Sequence, residues 1–178
     1  MNTTANKITL VRILLIPVFM VLAYTEHVYI ALTVYIIACL SDFADGYIAR
    51  HYNQISNFGK FMDPLADKML LLSAMCLLIE KAQMPAWAVA IVLFREFAVS
   101  GLRLIAVEQG TVIAAAKSGK LKTLCTMIAL GVMQVLPQGW LPVPDILNKA
   151  CVAIIVITTA VSGIQYFVVN RAVFRQAS

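Results

Sequence analysis

The sequence predicts an all-α membrane protein, a bundle of six transmembrane helices, and three observations carry that prediction. The chain is 61% hydrophobic and only 13% charged over 178 residues, outside the range of soluble globular domains. Its apolar residues gather into six stretches close to the ~20 residues that a spanning helix needs. Its basic residues fall mainly on one of the two sides that six spans create. No internal repeat, low-complexity tract or long linker interrupts the pattern, so residues 1–178 are expected to form a single integral-membrane domain.

The spans follow in order. The polar opening Met1–Lys7 runs directly into the first, Ile8–Tyr24, without the small-residue cleavage site of a secretory signal. Thr25–His27 connects it to the second, Val28–Arg50, and a short turn around Asn53–Asn57 leads to the third, Phe58–Ile79. Glu80–Met84 precedes the fourth, Pro85–Gln109. The fifth, Leu121–Leu136, is short because Gly131 and the Pro137–Gly139 turn end it early. Beyond Pro137–Asp145 comes the sixth, Ile146–Asn170.

Threading these spans puts Lys7, Arg12, Arg50, Lys60, Arg103, Lys117, Lys120, Lys122, Arg171 and Arg175 toward one side, and Lys81 and Lys149 toward the other. The positive-inside rule makes the first side cytoplasmic and places both termini there. Topology and an anionic ligand then account for the net charge of +5 better than nucleic acid does. Cys39, Cys76, Cys125 and Cys151 stand singly in apolar sequence and read as small buried hydrophobes. Trp87, Trp140 and the tyrosines are expected in interfacial belts. Glu26 and His27 lie in the opposite loop, and Asp145 reads as a loop or N-cap residue.

The chemistry concentrates in four of the nine acidic residues: Asp42, Asp45, Asp63 and Asp67, on the second and third spans near the cytoplasmic side. A carboxylate at a helix centre in a bilayer costs roughly 2.5–3.5 kcal/mol on insertion scales, so it faces a wet cavity, a partner or a metal. Asp42 and Asp45 are one helical turn apart, and Gly46 and Ala49 continue their face with almost no side chain. On the next span Gly59, Asp63 and Asp67 recur every fourth residue, on one stripe. The short turn between the spans makes them antiparallel neighbours, so the two faces are expected to meet around one pocket. Four unpaired carboxylates repel, divalent cations relieve that repulsion, and an all-oxygen donor set suits magnesium, manganese or calcium rather than zinc. Two ions about 3.5–4 Å apart are the usual clamp for phosphoryl transfer. Pro64 removes one backbone bond from the third span and is expected to kink it.

The assembled residues read Asp42-Phe-Ala-Asp45-Gly46-Tyr-Ile-Ala49-Arg50 and, further on, Gly59-Lys-Phe-Met-Asp63-Pro-Leu-Ala-Asp67. This resembles the signature of the CDP-alcohol phosphatidyltransferases, DxxDGxxAR followed by GxxxDxxxD, with every fixed position present. Asn6-Lys-Ile-Thr9-Leu-Val-Arg12 with Pro17, Arg95-Glu96-Phe with Ser100-Gly101-Leu-Arg103, and Lys117-Ser-Gly119-Lys120-Leu-Lys122-Thr123 are similar to the phosphatidylglycerophosphate synthases of that family. Ala5 stands where many members have proline, and Thr126 where glutamine is common.

The resemblance implies six membrane helices in a bacterial cytoplasmic membrane, a site facing the cytoplasm, and a homodimer. It implies attack of the sn-1 hydroxyl of glycerol 3-phosphate on the lipid-side phosphate of CDP-diacylglycerol, releasing CMP. It further implies that Asp42, Asp45 and Asp63 hold one divalent cation, Mg2+ or Mn2+, that Asp42, Asp63 and Asp67 contact a second, and that Asp67 accepts the hydroxyl proton. Gly46, Ala49, Arg50 and Gly59 are expected to line the CDP site, with Arg50 also suited to a topological anchor. Arg103, Lys117, Lys120 and Arg95 are expected at the acceptor phosphate, where Lys117, Lys120 and Lys122 also suit a cytosolic loop, and Arg95 or Glu96 an ion pair bridging to another helix. Serine, inositol phosphate or phosphatidylglycerol as acceptor keeps the same chemistry. A divalent-cation transporter is the alternative from another class, disfavoured by the absence of repeated halves and of midplane ligands.

Overall fold

The computed structural model describes the backbone of residues 4–25, 27–51, 57–108, 117–135 and 145–171, and side chains at 8–25, 27–41, 62, 65–108, 118–135 and 146–171. These residues form six helices and no strand: α1 (Thr4–Tyr24), α2 (Val28–His51), α3 (Asn57–Glu80), α4 (Ala86–Glu108), α5 (Lys117–Val135) and α6 (Asp145–Val169). Each expected span coincides with one helix. The clearest differences are at α1, which starts at Thr4 rather than Ile8, and α5, which starts at Lys117 rather than Leu121. Hydropathy marks only the apolar part of a helix, whereas its backbone hydrogen bonds continue into polar flanks.

Among the described residues one helical segment, Ile146–Val169, is by length and composition apolar enough to cross a membrane on its own. Ile8–Tyr24 and Val28–Ser41 are shorter apolar stretches. Charges interrupt the others, Asp63, Asp67 and Lys68 in α3 and Arg95, Glu96 and Arg103 in α4. The outward faces are nonetheless apolar. Leu14, Phe94, Phe97 and Ile146 are 68%, 76%, 71% and 73% exposed, while Thr9, Arg12, Lys122, Thr126, Thr159 and Ser162 are buried. A helix bundle stable in water turns its large apolar residues inward instead.

The chain divides into two compact units, residues 1–83 with 130–142, and residues 84–129 with 143–178. In the first, α1 packs against both α2 and α3, and α2 also touches α3. The contact stripe of α1 is Thr9, Arg12, Ile16, Phe19 and Ala23, and that of α2 is Val28, Ala31, Tyr35 and Ala38. Both recur every third or fourth residue, which is the period of one helix face. Phe19 meets Tyr35 with ring centroids 5.6 Å apart. Alanines at 31, 38, 66 and 74 carry little bulk on the buried faces, which allows neighbouring helices to approach closely. In the second unit α4 packs on α6, with Val99, Leu102, Ala106 and Tyr166 as a buried cluster.

Several hydroxyls are satisfied within their own helices. Thr33, Ser41, Thr123 and Thr158 donate to the carbonyls of Tyr29, Ile37, Gly119 and Ile154, four residues back, at 2.8, 2.6, 3.1 and 2.7 Å. That bond removes the need for water around a hydroxyl. Helix ends are met by side chains as well. Lys81 Nζ donates to the Ala23 carbonyl at the end of α1 (3.1 Å), and Gln83 Nε2 to the Met133 carbonyl (3.3 Å).

Two expectations are corrected. Tyr24 and Tyr29 are exposed as an interfacial belt requires, but Tyr35 and Tyr166 are each only 2% exposed, because packing within a unit claims their rings. Cys39 and Cys151 are buried thiols outside any disulfide, whereas Cys76 lies exposed on α3 and Cys125 is half-buried.

The end of α3 carries one strained residue. Gln83 N–H bonds the Leu78 carbonyl and Ala82 N–H the Ile79 carbonyl, the two bonds of a Schellman cap, with Ala82 at φ 55°. Glycine takes this left-handed position without a Cβ penalty. Ala82→Gly is expected to stabilise the protein by about 0.5–1 kcal/mol and Ala82→Val to destabilise it. Melting temperatures of the two variants in detergent check both signs.

Candidate active site

α2 and α3 bring the motif aspartates into one packed unit. Asp42, Asp45, Gly46, Ala49 and Arg50 lie in the C-terminal half of α2, and Gly59, Asp63 and Asp67 in the N-terminal half of α3. The side chains at 42, 45, 49, 50, 63 and Pro64 lie outside the described residues, as does the expected meeting of the two aspartate faces. Among the described residues no three His, Cys, Asp or Glu side chains stand together. Of the four aspartates, Asp67 has a described side chain.

Asp67 is held by Arg12, a residue that the sequence placed on the cytoplasmic side and in the family-like opening segment but gave no role at the site. Arg12 NH1 of α1 donates to Asp67 Oδ1 at 2.7 Å, across 55 positions of chain. The Arg12 side chain is 0% exposed and that of Asp67 28%, so a fully buried cation meets a carboxylate that still reaches solvent. Arg12 stands in the α1 stripe between Thr9 and Ile16, where helical periodicity calls for an apolar residue. A charged residue at a core position of an apolar stripe was the signal available in the sequence.

The second unit holds the basic residues. On α4, Arg95 and Glu96 fall between the buried residues Val92 and Val99. Arg95 NH1 and Lys122 Nζ of α5 both donate to Glu96 Oε1, at 2.9 and 2.7 Å. Glu96 is therefore the residue that bridges helices. Lys122, only 2% exposed, is a buried ion-pair partner rather than part of a solvated loop. Gly163 makes room for the Arg95 side chain, while Gly119 lies beside it at ordinary contact distance. A Cβ on Gly119 of α5 lies 3.5 Å from Arg95 NH2, and one on Gly163 of α6 lies 3.1 Å from Arg95 Cγ. The second distance is too tight for an alanine unless Arg95 moves. Arg95 Nε and the hydroxyls of Ser118, Thr126 and Thr159 are buried without a hydrogen-bond partner among the described residues.

Arg103, two turns further along α4, donates through Nε to the hydroxyl of Tyr166 at 2.8 Å, and its guanidinium carbon sits 5.5 Å from that ring's centroid. Tyr166 thus orients an otherwise exposed guanidinium. Lys120 is exposed on α5, and the Lys117 side chain lies outside the described residues.

The model of the CDP-alcohol phosphatidyltransferase family matches residues 2–164. The chain belongs to that family. A CDP-diacylglycerol–glycerol-3-phosphate 3-phosphatidyltransferase of Bacillus subtilis (strain 168) is 40% identical, with 93% of each chain covered. An enzyme of the same name from Rickettsia typhi is 32% identical over 98% of this chain and 100% of its own. A probable phosphatidylglycerophosphate synthase of Mycobacterium tuberculosis (strain H37Rv) is 33% identical over 91% of this chain and 78% of its own.

Removing the bridge carboxylate leaves two cations facing each other in a buried place. Glu96→Leu is expected to destabilise the fold by about 3–5 kcal/mol, and Glu96→Leu with Lys122→Met by clearly less. Chemical denaturation of both variants in micelles checks the difference.

Proposed function

We propose that this protein transfers the phosphatidyl group of CDP-diacylglycerol to glycerol 3-phosphate, forming phosphatidylglycerol phosphate and CMP. The observation that carries the reading is the complete DxxDGxxAR and GxxxDxxxD signature on α2 and α3, in a chain 40% identical over 93% of its length to a relative named for that reaction. The protein is read as one integral domain of a bacterial cytoplasmic membrane, with six spans, cytoplasmic termini and a site open to the cytoplasm. The apolar outward faces and the bias of Lys and Arg support that topology. A homodimer is part of the same reading, carried by the family resemblance alone.

The donor set fits divalent cations. It is built of carboxylates alone, and Asp67, the member with a described side chain, is half-buried yet reaches solvent. Asp42, Asp45 and Asp63 would hold one ion, and Asp42, Asp63 and Asp67 a second, Mg2+ or Mn2+. When bound, such ions supply the positive charge that offsets the diphosphate and the developing charge on its oxygens. Asp67 accepts the proton of the attacking hydroxyl, which a partly exposed carboxylate can pass to solvent. Gly46, Ala49 and Gly59 leave space for cytidine and diphosphate, and Arg50 offers a fork to the diphosphate.

Arg103, Arg95, Lys117 and Lys120 take the phosphate of the acceptor. Two features support this. Arg95 and Lys122 both donate to one carboxylate oxygen, which holds two cationic side chains together on α4 and α5. Arg103 is aimed by Tyr166 through Nε, so the other two nitrogens of its guanidinium remain for a ligand.

Two outcomes are expected from a CMP-release assay on the purified protein. Chelation with EDTA and each of Asp42→Asn, Asp45→Asn, Asp63→Asn and Asp67→Asn lower turnover by about 10²–10³-fold or more. Arg103→Met raises KM for glycerol 3-phosphate by roughly 10–100-fold and leaves KM for CDP-diacylglycerol unchanged. Release of CMP with serine or inositol phosphate but not with glycerol 3-phosphate would move the acceptor assignment.

A further inference from the structure

The pairing of Arg12 with Asp67 raises a question of energetics. Asp67 reaches solvent, so its carboxylate does not need a buried cation to be hydrated. Arg12 is the member that loses its water, with no exposed surface on its side chain. Burying a guanidinium costs several kcal/mol before pairing returns any of it. A methionine or leucine at position 12 would continue the α1 stripe of Ile16, Phe19 and Ala23 without that cost. Exchange of a buried ion pair for apolar residues of similar volume is often neutral or stabilising. Helix packing alone therefore does not account for an arginine here.

What an arginine supplies is direction. Its planar guanidinium presents N–H groups in fixed directions, and NH1 donates to Oδ1 at 2.7 Å, which restrains where that oxygen of Asp67 sits. The fork is itself immobilised, since Arg12 is packed on a face of α1 that contacts both α2 and α3. A backbone already rigid in α1 thus determines where the last carboxylate of the α3 stripe points.

We propose that Arg12 is a positioning residue of the phosphotransfer site, setting the orientation of the Asp67 carboxylate toward the divalent cation and the acceptor hydroxyl. The proposal rests on the reading of Asp67 given above. Supporting groups that orient a metal ligand are worth about 10–100-fold in metal affinity or activity. A displacement near 1 Å at a reacting group costs on the order of 10²-fold in rate.

The test compares Arg12→Lys, Arg12→Met and Asp67→Asn in the full-length protein in micelles. It reads kcat and both KM values, Mn2+ affinity by electron paramagnetic resonance without substrate, and melting temperature. Arg12→Lys keeps the charge and most of the volume but loses the fork. It is expected to melt near the parent and to lower kcat about 10–100-fold, with both KM values little changed and Mn2+ bound about 10-fold more weakly. Arg12→Met is expected to match or exceed those losses. Should Arg12→Met fail to fold, Arg12→Lys alone decides. An Arg12→Lys protein with parental kcat and Mn2+ affinity overturns the proposal, whatever its melting temperature, while an inactive Asp67→Asn leaves the functional reading standing. Full CMP release by Asp67→Asn overturns both.

Discussion

A buried charge held on a carboxylate of another helix ties α1 to α3 in this molecule. Arg12 has no exposed surface, so its charge must be met by protein, and Asp67 meets it at 2.7 Å. That requirement links α1 to α3 and orients one carboxylate of the family signature. In the second unit Glu96 plays the corresponding part, with Arg95 and Lys122 both on its Oε1. In each unit the ionic contact is what makes helix packing specific, because an apolar stripe slides against another apolar stripe at little cost, whereas a guanidinium held on a carboxylate does not.

The outward faces are apolar, and the mostly apolar interior also admits charged and hydroxyl side chains. Large apolar side chains such as Phe94 and Phe97 point outward, and Thr9, Arg12, Lys122, Thr126 and Thr159 point inward. The proposed donor, a lipid with a charged diphosphate, suits this arrangement, since acyl tails need an apolar surround and the head group needs cations and water. Hydroxyls returned to their own helix carbonyls keep the outward faces free of unsatisfied groups. Gly163 serves the inside, where it leaves volume that the Arg95 side chain fills.

Much of the fold and site was legible in order of residues alone. Apolar runs located all six helices, and the spacing of Asp42, Asp45, Gly46, Gly59, Asp63 and Asp67 pointed to the family later matched over residues 2–164. The partners of the functional residues were not legible. Tyr166 looked like a belt residue until its hydroxyl was found on Arg103, and Lys122 looked like one more cytosolic lysine until it was found buried on Glu96. Such pairs join positions 26 and 63 residues apart, and nothing in the local pattern of either residue names the other.

The sequence by itself determined helix number, the approximate ends of each helix and the identity of the acidic signature. These follow from hydropathy, helical period and fixed spacing, which are local properties of the chain. Only the tertiary structure decided that Arg12 holds Asp67, that Glu96 joins α4 to α5, and that Tyr35 and Tyr166 are interior. Those outcomes depend on which faces of separate helices come together, and the energy of a buried charge exists only once its surroundings are built.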